Sequence, residues 1–336
     1  MNTFRRSLLS RSTLLAISTG AISASSLAAT PWSETAGAVL DVTSSYSSNV
    51  AKDYPLYAEG ANSVLQTTSP FLNFVSTGNN LFTAYAKNGG SINVNQGILS
   101  SNGNLAHTVN LVGGNLNMTG GVINTAGTNS YGVNGSNEAQ ASIKDLTINA
   151  SGGGGGGVTL SAGKLVASNV NIVASGAGSQ GISLAYSTFG TANAELDNVD
   201  IKLLGAGTKA GIMLGNGTVT GQKVTITSSD DNRGIDVYNA GGANIGTLML
   251  TDSKITSEHG DAVYILGGNV TLKNTEIETN DGQGVNVNRY STFNMDGGSI
   301  SSTGDYADGI WVGGEDAVVN VDKATITTKG DRKSVV

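Results

Sequence analysis

The residues with the clearest chemical potential are acidic. Asp230 and Asp231, then Asp261, Asp281, Asp305 and Asp308, gather at one point of a recurring pattern, with His259 among them. Two carboxyls a few ångströms apart could serve as acid and as nucleophile or base on a glycosidic bond. Clustered oxygens could also hold calcium. The surroundings argue against both. No Gly-Gly-x-Gly-x-Asp repeat accompanies these residues, and Arg233 and Arg289 are the only arginines between positions 12 and 331. The two histidines, His107 and His259, have no His or Cys neighbour at metal spacing. The acidic set is therefore expected to be a solvated column of turns, with no catalytic residue, metal or cofactor assigned.

Other signatures of chemistry fail on inspection. There is no G-x-S-x-G elbow. Gly163-Lys164 lacks the upstream glycine and the following Ser/Thr of a phosphate loop, since Val158 and Leu165 stand there. The run Gly152–Gly157 satisfies G-x-G-x-x-G trivially and precedes a strand pattern, so it reads as a turn.

The elements that must position any site come from an internal repeat. A β-branched lead followed by x-apolar occurs as Val109-Asn110-Leu111, Val158-Thr159-Leu160, Ile182-Ser183-Leu184, Ile212-Met213-Leu214, Ile235-Asp236-Val237, Val263-Tyr264-Ile265, Val285-Asn286-Val287 and Ile310-Trp311-Val312. With Val133-Asn134 included, the mean step is about 25 residues. Glycine precedes most leads, for example Gly132, Gly211 and Gly309, which suggests either φ > 0 or close approach of backbones. A second series runs at the same period from Ile98, Ile123 and Ile148 to Ile326. A third short strand opens most repeats, as in Ser91–Val94, Asn269–Leu272 and Thr292–Met295. Three short alternating strands per 25 residues predict an all-β fold, a right-handed parallel β-helix of about eleven rungs. Insertions such as Asn193–Asp200 are expected in turns.

Composition agrees. Glycine makes up 48 of 336 residues, cysteine is absent and charged residues are 13 %. That excludes a disulfide scaffold and Cys-ligated metal centres. The net charge of −7 disfavours nucleic acid as a partner. Residues 1–29 read as a secretory signal peptide. Arg5, Arg6 and Arg11 are its basic region, Thr13 to Leu27 carries no charge, and Ala28 or Ala29 precedes the cut. Cleavage would take the net charge to −10. No later run is apolar and long enough for a transmembrane helix in the mature chain. Residues 30–53 are expected as a lead-in or cap, and 54–330 as the β-helix.

Residues 331–336 break the repeat inside a rung. Asp-Arg-Lys-Ser-Val-Val-stop can be back-translated as GATCGGAAGAGCGTCGTGTAG, which resembles a sequencing adapter. Native sequence is expected to end near Gly330, with a C-terminal part missing.

The middle residue of each lead triplet should point outward. Along the repeats this row reads Asn110, Asn134, Thr159, Ser183, Met213, Asp236, Tyr264, Asn286 and Trp311. It turns aromatic toward the C-terminus, and Tyr and Trp are common contact anchors. The candidate binding residues are Asp236, Tyr238, Tyr264, Tyr290, Tyr306 and Trp311.

These features carry two resemblances. Asp230-Asp231 followed by His259-Gly260 resembles part of the polygalacturonase pattern, but that family's Asn-Thr-Asp and Arg-Ile-Lys motifs are missing. The exported, cysteine-free, Gly/Asn-rich rungs, such as Gly284-Val285-Asn286-Val287 and Gly309-Ile310-Trp311-Val312, are similar to the pertactin-like autotransporter passengers of Gram-negative bacteria. That resemblance implies a pectin-lyase-like solenoid exported across the inner membrane. It further implies display at the cell surface or outer membrane by a C-terminal β-barrel in cis. Its expected role is adhesion or aggregation on a host or bacterial surface protein or glycan, without catalysis. The alternative is a secreted polysaccharide hydrolase or lyase on the same fold.

Overall fold

The computed structural model describes residues 30–329 apart from 186, 188, 189, 239–244 and 306. The expected signal peptide and the 331–336 tail lie outside the described residues. Every regular element described is a β-strand. Twelve strands stack in one sheet, from Trp32–Glu34 to Ile310–Val312, and sixteen form a second. Neighbours pair in parallel throughout, and the chain returns to the same position every 22 to 30 residues. The fold is a parallel β-helix of about eleven turns, spanning about 50 Å at the usual strand spacing. Residues 30–53 contribute the strands Trp32–Glu34, Val39–Val42 and Tyr46–Ser48, each paired with the coil above.

The second sheet departs from the expected three short strands. Two of them fuse into one bent strand of 11 or 12 residues, as in Ser91–Ser101, Ala192–Leu203 and Thr292–Ser302. Most bends are made by one residue in the left-handed region, and the glycine pairs Gly120-Gly121 and Gly297-Gly298 make two others. Gln96, Asp145, Asn169, Asn198, Asp252 and Asn274 belong to this column, with φ between 48° and 54°. Asn and Asp adopt this conformation at lower cost than most side chains. They also bond to one another between coils, with Asn169 Nδ2 donating to Asp145 Oδ1 at 2.7 Å and Asn198 Nδ2 to Asn169 Oδ1 at 3.0 Å. Around Asp252 the strand splits into Thr247–Thr251 and Lys254–Ser257, as it does around Lys323 into Val318–Asp322 and Thr325–Thr328, and in the first two coils. Asn193–Asp200, expected in a turn, therefore lies within a strand. The extra residues of that coil fall between Leu184 and Ala192.

The isoleucine series forms an internal ladder. Ile123, Ile148, Ile172, Ile201, Ile226, Ile255, Ile277, Ile300 and Ile326 pair in sequence from coil to coil. Ile98 does not belong to it. Leu99 aligns with Ile123, whereas Ile98 faces outward and is 36 % exposed. Alternation along a strand makes a one-residue offset a change of face.

The glycines before the leads serve this ladder. Gly132, Gly157, Gly181, Gly211, Gly234, Gly284 and Gly309 do not have positive φ. A Cβ at Gly211 would come within 2.4 Å of Ile226 Cγ2 and 2.9 Å of Gly234 O. The same methyl contact recurs at the others, so close approach, not turn geometry, selects glycine. Gly211→Ala should cost about 1–3 kcal/mol by overpacking. Combined with Ile226→Ala, its cost should be less than additive by roughly 0.5 kcal/mol or more. Denaturant midpoints followed by circular dichroism measure both, and strict additivity would refute the contact.

Candidate binding face on the twelve-stranded sheet

Parallel register converts sequence spacing into columns on this sheet's outer face. The strands place Tyr57, Tyr85, Asn110, Asn134, Thr159, Ser183, Met213, Asp236, Tyr264, Asn286 and Trp311 in one line. Asp236, Tyr264 and Trp311 thus share a column as expected. Tyr238 lies two residues beyond Asp236 on the same strand, hence on the same face. Tyr290 sits in the turn after Val285–Val287, at φ 56°, and is 58 % exposed. Tyr306 lies outside the described residues.

Arg233 organises the C-terminal half of this face. Its Nη1 donates to Asp236 Oδ2 at 2.6 Å, and its guanidinium carbon stands 3.7 Å from the centre of the Tyr264 ring. One face of Tyr264 is therefore already covered by a cation. The Asp236 side chain is 14 % exposed, and its Oδ1 has no hydrogen-bond partner. Burial raises its pKa and outweighs the opposing pull of Arg233. Asp236 thus acts mainly by holding Arg233 in place. Trp311 is 41 % exposed, and its indole lies over Gly313, where a Cβ would meet the ring at 1.9 Å.

The acidic residues divide between two columns. Asp231, His259 and Asp281 stack in one, where His259 Nδ1 and Asp281 Oδ2 are 2.6 Å apart in solvent. That hydrogen bond raises the His259 pKa above its usual value. Asp261 aligns with Arg233. It accepts hydrogen bonds from the Gln283 backbone N–H and from Asn286 Nδ2, each at 2.9 Å. Asp230 Oδ2 accepts from the Gly207 N–H. Several carboxylates thus cap backbone or bind amides in the coils beside them. Among the described residues no group of three or more His, Cys, Asp or Glu is placed to hold a metal ion.

Sequence reasoning missed the N-terminal end of the same face. Tyr54, Phe82, His107 and Tyr131 form a stack of rings, with Tyr54–Phe82 and Phe82–His107 centroids both 5.7 Å apart and nearly parallel. Tyr57 stacks on Tyr54 with centroids 5.9 Å apart, and Tyr85 meets Tyr54 and Phe82 edge-on. The available signal was an aromatic residue recurring 24 to 28 positions apart. Arg233 was also missed as a contact residue, although its three-residue spacing to Asp236 was visible.

No family model matches this chain, and no curated protein sequence does. Solved structures do. The fold is shared with Vag8. That similarity, to Vag8 in "the Vag8-C1 inhibitor complex", has a TM-score of 0.61 at 18 % identity and covers 87 % of this chain and 72 % of that one. PfbA, "a surface adhesin of Streptococcus pneumoniae", matches with a TM-score of 0.51 at 9 % identity over 88 % of this chain and 83 % of that one. At these identities the likeness establishes the β-helix fold. No helix among the described residues is long and apolar enough to cross a membrane.

Two outcomes test this account. Arg233→Met should cost about 1–3 kcal/mol at pH 7, because it leaves a covered carboxylate unpaired. The loss should shrink at pH 4, where Asp236 can take a proton, and urea midpoints at the two pH values read this. His107 Nδ1 accepts the Tyr131 N–H, and burial lowers its pKa to about 4. The folded state therefore favours the neutral ring. The contribution is present above the unfolded value of about 6.5 and is lost as pH falls from there through about 4, to at most roughly 3 kcal/mol. His107→Gln should flatten the stability profile in that window.

Proposed function

We propose that this chain is the passenger of a Gram-negative autotransporter, carried to the cell surface by a C-terminal β-barrel in cis, and that it acts by adhesion without catalysis. The observation that carries this reading is the outer face itself. It presents Tyr290 and Trp311 to solvent beside a fixed Arg233–Asp236–Tyr264 group, while neighbouring carboxylates are engaged in capping. Exposed aromatic side chains supported by a rigid scaffold suit protein or glycan contact. The β-helix fold shared with PfbA, a surface adhesin, and with Vag8, solved with C1 inhibitor, supports a host-protein or surface-glycan partner. The absence of cysteine suits threading through a narrow export pore.

The test fuses residues 1–330 to an outer-membrane barrel in a non-adherent bacterium. Protease accessibility reads surface display, and a binding assay reads attachment to host cells and to other bacteria. Trp311→Ala and Tyr290→Ala should each weaken attachment by about tenfold or more with display unchanged. Display without attachment would refute the adhesive role. Cleavage of a polysaccharide by the purified protein, lost in Asp230→Asn or Asp231→Asn, would establish the enzyme reading instead.

A further inference from the structure

The N-terminal ring stack borders a cleft of about 500 Å³ lined by Pro31, Ser33, Lys52, Tyr54, Tyr57, Tyr85 and Lys87. That is the size of a small-molecule site, and its lining mixes aromatic faces with a few polar groups. We propose that this cleft binds a carboxylated saccharide unit, its ring against the tyrosines and its carboxylate between Lys52 and Lys87.

The geometry selects this chemistry. Tyr54 and Tyr85 meet at 74°, with centroids 5.0 Å apart, and Tyr57 tilts 54° from Tyr85. The rings form a corner, which suits one or two pyranose rings better than an extended peptide. Their hydroxyls add donors and acceptors that can meet a sugar's own. The two lysines set the sign of the ligand's charge. Lys87 Nζ lies 5.6 Å and 6.0 Å from the centres of Tyr57 and Tyr85 and is paired with Glu59 Oε1 at 3.0 Å. The corner thus already holds a cation, so a cationic guest is disfavoured. Tyr57 donates its hydroxyl hydrogen bond to Glu59, which leaves that carboxylate doubly engaged. Lys52 is exposed, in the left-handed region at φ 68°, and makes no ion pair among the described residues. It is the open charge at the mouth of the cleft. Lys87 is matched by Glu59, and the Asp53 carboxylate beside Lys52 is held by Tyr46 and Ser48, so the charge left open in the lining is the Lys52 ammonium, in a chain whose net charge is −7. An acidic ligand finds here a complement that most of the surface denies it.

This site lies at the opposite end of the face from Trp311, and its test needs no surface display. Purified protein is titrated calorimetrically with 3′-sialyllactose, with lactose as the neutral counterpart and a hexaglutamate peptide as the acidic non-sugar. The expected result is saturable binding of sialyllactose, about tenfold or more tighter than lactose. It should weaken several-fold between roughly 0.05 and 0.3 M salt. Lys52→Gln, at an exposed position that does not burden folding, should weaken binding several-fold. Tyr85→Ala, checked for folding by circular dichroism, should weaken it about tenfold. Equal binding of lactose, indifference to Lys52→Gln, or no saturable binding of sialyllactose would each overturn the proposal. So would hexaglutamate binding with the same residue dependence in place of the sugar.

Discussion

Everything in this molecule follows from parallel hydrogen bonding in register between successive coils. Once one coil sits on the last, each residue has a counterpart about 4.8 Å above and below. Side-chain identity then acts by column. Isoleucine stacks on isoleucine, asparagine amides bond to the next asparagine, and glycine must recur wherever the ladder's methyl groups crowd the backbone. Even the buried hydroxyls obey this order. Ser76, Ser101, Ser228 and Ser302 each give a hydrogen bond to a carbonyl five or six residues further on. These four hydroxyls are satisfied within their own coil, while Ser130, Ser179 and Ser257 reach carbonyls of the coil before.

This explains what was legible in the sequence. Columns of one residue type leave a period, and the Ile123-to-Ile326 ladder and the outward row from Asn110 to Trp311 could be read from it. Where a column is chemically mixed, periodicity misleads. Ile98 has the right type and the wrong face, because Leu99 fills the ladder in that coil. The bend column escaped notice for the same reason. It contains Gln96, Asp145, Lys223 and Phe71, which share a backbone conformation and no side-chain chemistry. The first coils were obscure because Leu56 and Ala84 replace β-branched leads. The ring stack from Tyr54 to Tyr131 therefore sat outside the pattern being followed.

The two ends of the outer face are built differently, and this matters for contact. Between them the column carries small or polar groups such as Asn134, Thr159 and Ser183. At the N-terminal end, rings pack on rings and shield one another from water. At the C-terminal end, an ion pair, a cation over a ring and an indole over a glycine fix fewer aromatic groups in more open positions. Two of the acidic residues that first suggest hydrolysis are engaged within the stack. Asp261 and Asp230 serve the backbone and amides of neighbouring coils.

The left-handed corner has a consequence for how such a chain can change length. From Ile92 to Leu99, and again from Leu116 to Ile123, Ala194 to Ile201, Leu248 to Ile255 and Val319 to Ile326, the two inward residues flanking the corner stand seven positions apart. The other corners are elastic. Leu160 to Leu165 takes five positions, while the equivalent Leu184 to Ala194 takes ten and Val237 to Leu248 eleven. From the third coil onward one edge of the solenoid thus keeps time, whereas the coil before takes nine positions from Leu65 to Phe74, and another edge absorbs insertions. Grafted peptides or natural loops can enter beside Leu184 and Val237 without shifting a single rung. The same cargo placed at Asn169 or Asn198 would interrupt the bend column and the amide bonds that run along it.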